Sequence, residues 1–312
     1  MRRFALANFL LSAIFISTLT EAQQVTDKAL IQDTVSLVRE VKEFEKTLGI
    51  APTEALSRNS QEKPATSMLW LWLQKIGTIA LRAPMDIRLG LRFGATREQL
   101  PLESLYRTGQ YSIYYRQGNE FSDPHAVTTV DFARESAFTR VMIILHEDLH
   151  GDQNFDLPWE TEESLVTPLG LLAALQFFKQ KGDDVNLGAA RSAIEERSRL
   201  AMELNDIVQQ ADLLFRTRPL NEARIKLIDL VHSSKIYSRW YKSQMENQDD
   251  GTALEAKISH DLVYYKYFER IVALDRRMGD LKTLIQALKI IPRTMDMEEV
   301  EKYVRELEKR YE

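Results

Sequence analysis

From Phe132 to the end of the chain, apolar residues recur every three to four positions. Only short polar connectors such as "QKGDD", "RTRP", "NQDDG" and "MGD" interrupt them. Spacing of that period places an apolar stripe along one face of a helix, so this stretch is committed to a body of packed helices. It predicts helices over 131–151, 162–181, 188–215, 219–245, 253–278, 280–290 and 296–311. Pro168 and Gly170 are awkward inside the second of these. Proline removes a backbone donor, and glycine costs about 1 kcal/mol relative to alanine.

Upstream the pattern is mixed. Residues 26–50 read as an amphipathic helix through Leu30, Val35, Leu37, Val38, Val41 and Phe44, and a polar connector follows. "MLWLWLQKIGTIALRAP" (68–84) is too short to span a bilayer and reads as a buried element. "YSIYYR" (111–116) is a short strand between Gly109 and Gly118. The expected class is α+β and predominantly α-helical. It has a smaller mixed N-terminal lobe over 23–130 and a helical body over 131–312, packed as one unit.

The first 22 residues have the layout of a secretory signal. Arg2 and Arg3 precede a largely apolar run from Phe4 to Leu19, and Thr20-Glu21-Ala22 offers small residues for a cut before Gln23. The expected location is periplasmic or secreted; the alternative is an uncleaved anchor, the one case in which the chain would contact a membrane. There is no cysteine. Disulfides, thiolate ligands, a cysteine nucleophile and a lipidated cysteine are therefore excluded, and any transition metal must be held by imidazole and carboxylate. A formal charge of −5 without a basic block leaves no electrostatic footprint for nucleic acid.

Two of only five histidines fall in the sequence His146-Glu147-Asp148-Leu149-His150, at the end of an apolar run. On a helix, residues four apart lie about 40° apart in angle and one turn apart along the axis. Both imidazoles can then reach one ion at about 2.0–2.1 Å. Glu147 sits beside that ion without binding it, where it can act as general base toward a water. A catalytic zinc needs a third protein ligand. Glu163 opens the next apolar helical run and is the best candidate, with Glu162 the alternative one residue earlier. Asp152 and Asp156 could orient a ligand imidazole.

The motif, its register and its flanks resemble the predicted aminopeptidases of bacterial envelopes, a zincin-like metallopeptidase family. Twelve residues separate His150 from Glu163, and Ser164-Leu165-Val166-Thr167-Pro168-Leu169-Gly170 follows in the family's register. "FSDPHAVTTV" (121–130) and "SHDLVYYKYFERIVALDRRMGDLKTLIQALK" (259–289) are similar to segments before and after its metal helix, so the likeness covers roughly residues 65–290. The resemblance implies a Zn2+ site of His146, His150 and Glu163, with Glu147 as base and a peptide or protein as substrate. The chain departs from the family at Asp148, where an apolar residue is usual, and at Glu162, where asparagine is usual.

An oxyanion donor is also required, and His260 or Tyr264 in "ISHDLVYYKYFER" could supply it. Tyr265 and Tyr267 read as core aromatics, His125 as a loop residue, His232 as structural, and Trp70 and Trp72 as packing residues. The expectation is an exported zinc peptidase, with aminopeptidase specificity resting on the resemblance alone. The alternative is a non-catalytic metal-binding helical envelope protein with a binding or scaffolding role, to which the extra charges of Asp148 and Glu162 point.

Overall fold

The computed structural model describes residues 5–57, 60–61, 67–81, 91–93, 109–119, 126–152, 157–245, 248–292 and 294–312. His125 and Asp156 lie outside this set, as do the side chains of the expected leader. Among the described residues there are five strands and eleven helices, so the chain is predominantly helical. No helix among them is long and apolar enough to cross a membrane.

The chain begins with a long helix, α1 (Ala5–Leu48). The strands β1 (Ser60–Gln61), β2 (Ser67–Lys75), β3 (Leu91–Phe93), β4 (Tyr111–Asn119) and β5 (Thr128–Thr129) follow. β2 is the centre of an antiparallel sheet of order β3-β2-β4, and β1 pairs with β5 in parallel. Trp72 lies opposite Tyr114 and Trp70 opposite Arg116, so these residues share one sheet face. Leu71, Leu73 and Ile113 form a separate apolar cluster on the other face.

The helical body comprises α2 (Val130–Arg134), α3 (Ala137–Gly151), α4 (Trp159–Lys181), α5 (Asp184–Thr217), α6 (Leu220–Ser233), α7 (Tyr237–Gln244), α8 (Asp250–Tyr265), α9 (Phe268–Met278), α10 (Leu281–Lys289) and α11 (Met297–Arg310). Three stretches expected to be single helices are each broken in two. The first breaks at Ser136, whose side chain accepts from the Thr139 N–H and caps α3. The second breaks after Ser233, where Glu203 of α5 accepts from the Ile236 and Tyr237 N–H groups and so caps α7 from outside. The third breaks after Tyr265, whose freed carbonyl accepts from the Asn205 side chain, also on α5. One contiguous core runs from Val38 and Val41 of α1 through Trp72 and Tyr114 of the sheet to Val304 and Leu307 of α11.

α3 is pinned to α1 along its back. Asp148, 1% exposed, accepts from the Lys42 ammonium at 2.5 Å, from the Thr53 N–H at 3.2 Å and from the Thr53 hydroxyl. At the end of the helix, Asp152 accepts from the Ala51 N–H at 2.9 Å and pairs with Lys289. Gly151 is required there, since a Cβ would sit 2.0 Å from Thr53 Cγ2.

Beside this pin, Glu45 is fully buried. Its pKa is pushed up from 4.5 to about 10, first by burial and then by the neighbouring Asp148 charge, against the opposing effect of Lys42. The folded protein therefore keeps a proton that the unfolded chain releases, and stability falls as pH rises between those two values. Glu45→Gln is expected to raise the melting temperature by several degrees at pH 9, less at pH 6, and not at all near pH 4. Thermal unfolding across that range checks it; an equal shift at every pH would contradict it.

Candidate metal centre

α3 buries Val141, Ile144, Leu145 and Leu149 at no more than 1% exposure. His146, Glu147 and His150 stay partly exposed on its other side. The 100° step of the helix places Asp148 about 160–200° from the two histidines, so the back of the helix is held while the front is left for ligands. α4 lies against that front. Gly170 permits the contact, because a Cβ there would come within 3.2–3.3 Å of the Cβ, Cα and N atoms of His146. What reads as an awkward interior glycine in the sequence is the place where α4 touches the first histidine.

His146, His150 and Glu163 converge as a group able to hold a metal ion. His146 Nε2 and His150 Nε2 are 3.2 Å apart, and each is 3.3 Å from Glu163 Oε2. Tetrahedral coordination with bonds of about 2.0–2.1 Å sets neighbouring ligand atoms roughly 3.3–3.4 Å apart, so this triangle has the dimensions of one face of a zinc site. Glu163 Oε2 is buried and has hydrogen-bond geometry to neither imidazole. A buried carboxylate oxygen without a hydrogen bond, facing two nitrogen atoms, is what a cation would satisfy. The residues fit a zinc ion.

The sequence left Glu162 and Glu163 open as third ligand, and the structure turns them to different tasks. His150 Nδ1 donates to Glu162 Oε1 at 2.5 Å, and the Leu157 N–H donates to Glu162 Oε2 at 3.1 Å. Glu162 thus fixes the His150 tautomer and leaves Nε2 facing the triangle, as carboxylates behind metal-ligating histidines do. Asp152 secures the end of α3 through Ala51 and Lys289.

The charges are strongly coupled. Burial would lower the His150 pKa, but the Glu163 charge and the hydrogen bond that Glu162 accepts outweigh it and raise it well above 6.5. Burial would raise the Glu163 pKa, yet the facing His150 and His146 hold it far below the usual carboxylate range. Glu147 is raised by burial, with the two histidines pulling it down and Glu163 and Asp148 adding to the rise. A carboxyl raised in this way is a better proton acceptor than a solvated one.

α8 packs against α4. The Ser164 hydroxyl donates to the Val263 carbonyl, which brings Glu163 and Tyr264 into neighbouring positions. The Tyr264 hydroxyl keeps its proton: burial and the charges of Glu163 and Glu147 raise its pKa well above 10. His260, one turn earlier, is 3% exposed, and its Nδ1 donates to Asp261 Oδ1 at 3.3 Å. Burial lowers the His260 pKa despite Asp261, so the ring is neutral and its Nε2 is an acceptor. His232 lies apart, pairing with Asp250 at 3.1 Å.

Sequence reasoning missed Trp159, whose ring is 6.5 Å from that of Tyr264 and which sits one helical turn before Glu163. The signal was its spacing of four from the candidate ligand. No protein-family model, curated protein or solved structure matches the chain.

Elemental analysis of purified protein is expected to give about one zinc per chain, lost in His150→Ala and in Glu163→Ala. Glu162→Gln should keep the stoichiometry and weaken affinity by roughly 10–100-fold, the usual cost of losing an orienting carboxylate. Loss of zinc in Glu162→Gln with retention in Glu163→Ala would reverse the two assignments.

Proposed function

We propose that this chain is an exported zinc-dependent peptidase of zincin-like architecture, in line with the resemblance carried by its motif. The observation that carries the reading is the triangle of His146 Nε2, His150 Nε2 and Glu163 Oε2 with Glu147 next to it on α3. When bound there, zinc would supply Lewis acidity at a scissile carbonyl.

The protein's own groups account for the rest. Glu147, its pKa raised by burial, takes a proton from the attacking water and returns it to the leaving amine. Glu162 holds His150 with Nε2 toward the ion. Tyr264, kept protonated beside Glu163, is the donor toward the oxyanion that forms as the carbonyl is attacked. Neutral His260 presents an acceptor and does not suit that role. The charge of Asp148, one of the two features behind the non-catalytic alternative, is paired with Lys42 at the back of the helix. The charge of Glu162, the other, is spent on His150.

Glu147→Gln should keep the metal and lose hydrolysis of a mixed peptide library by about 10²–10⁴-fold, the usual share of a general base. Zinc-loaded wild type that cleaves no peptide would favour the metal-binding, non-catalytic reading. Full activity in the Gln variant would remove Glu147 from the mechanism.

A further inference from the structure

Next to the candidate metal centre, four aromatic side chains pack around one buried imidazole, a fifth packs against them, and the Nε2 of that imidazole has no hydrogen-bond partner. His260 lies 5.0 Å from Tyr114, 6.1 Å from Trp70, 6.0 Å from Trp72 and 5.3 Å from Tyr264, measured between ring centroids. Trp159 closes the cluster at 5.1 Å from Trp70 and 5.9 Å from Trp72. Trp70, Trp159 and Tyr264 are partly exposed, whereas Trp72 and Tyr114 are buried beneath them. An aromatic wall therefore opens toward solvent one helical turn from Glu163.

The polar atoms of this cluster are specific. His260 Nε2 is buried with no hydrogen-bond partner, and so are the indole N–H groups of Trp70 and Trp72. The imidazole is not free to choose its tautomer. Asp261, 2% exposed, takes the Nδ1 proton bond at 3.3 Å and is itself held by the fully buried Lys257 ammonium and by the Tyr237 hydroxyl at 3.0 Å. With Nδ1–H committed, Nε2 can only accept. An acceptor and two donors left unpaired in the interior are costly, so the arrangement suits a ligand that offers both a donor and an acceptor.

We propose that Trp70, Trp159 and Tyr264 form the recognition wall for a substrate side chain beside the scissile bond, and that His260 selects a phenol there, making tyrosyl peptides the preferred class. A phenol offers a flat apolar ring for the wall, one donor for Nε2 and one acceptor for an indole N–H. A phenyl ring offers only the first of these. Its place beside a scissile bond rests on the peptidase reading; the side-chain preference itself does not require turnover. Asp261 and Lys257 act as positioning residues through His260.

The test is calorimetric titration of the zinc-loaded full-length chain carrying Glu147→Gln, with N-acetyltyrosinamide and N-acetylphenylalaninamide as probes. The tyrosine ligand should bind roughly 10–100-fold more tightly, since a site built to pair a hydroxyl rejects the analogue lacking it. His260→Leu should bring the two affinities within about twofold without loosening the phenylalanine ligand, zinc content being unchanged. Trp159→Ala, at a partly exposed position, should weaken both ligands alike and keep their ratio. Equal affinities for the two ligands, binding of neither, or a preference that survives His260→Leu would overturn the proposal. If His260→Leu does not fold, the wild-type His260 ratio and the Trp159→Ala variant still decide it. A tyrosine preference in a protein that cleaves no peptide would retire the peptidase reading alone; hydrolysis without that preference would retire this one alone.

Discussion

The front of α3 can present three polar side chains because its back is held by a buried charge. Asp148 is nearly inaccessible, yet it is paired with Lys42 and bonded twice to Thr53. Removing one partner of such a pair costs about 3–5 kcal/mol, because the other charge is left uncompensated in the interior. Satisfied as it is, the pair sets the rotation of α3 about its own axis. That rotation decides where His146, Glu147 and His150 point. The family that the motif resembles usually places an apolar residue here. In this chain, helix orientation is set by a directional ion pair in addition to non-directional burial.

Charge also explains how adjacent carboxylates avoid competing for one ion. On α4 the side chains of Glu162 and Glu163 leave the helix about 100° apart. Glu163 reaches the pair of Nε2 atoms, and Glu162 reaches the other edge of the His150 ring. The first bears the bare oxygen and the second two hydrogen bonds, so only one of them lacks what a cation provides. The same logic recurs on α8, where Lys257 and Asp261 set the polarity of His260 from one side of the ring. In both places a carboxylate behind an imidazole determines what its far nitrogen can do.

The helical body was legible from periodicity, since each helix must bury a stripe and the sequence records the stripe directly. The breaks at 234–236 and 266–267 were not. Glu203 and Asn205, two residues apart on α5, supply the hydrogen bonds that let the chain turn at both places. A cap donated from a distant helix leaves no mark next to the residues it caps. The break at Ser136 is different: its cap is local, and the serine three residues before Thr139 was a readable signal.

By itself, the sequence determined the helix-rich class, the oxygen and nitrogen chemistry open to a chain without cysteine, and the spacing that puts His146 and His150 on one helical face. Those are properties of composition and of the fixed 3.6-residue turn, and they need no neighbour. It also placed Glu163 at the head of the next helix, within reach of that face. Tertiary structure decided which of Glu162 and Glu163 meets both histidines. It decided that Gly170 lies against His146, that His260 donates through Nδ1 to Asp261 and keeps Nε2 as an acceptor, and that Trp159 joins Trp70 and Tyr264 in one wall. Each of these depends on the rotation and separation of packed helices, which are set by contacts between residues far apart in the chain.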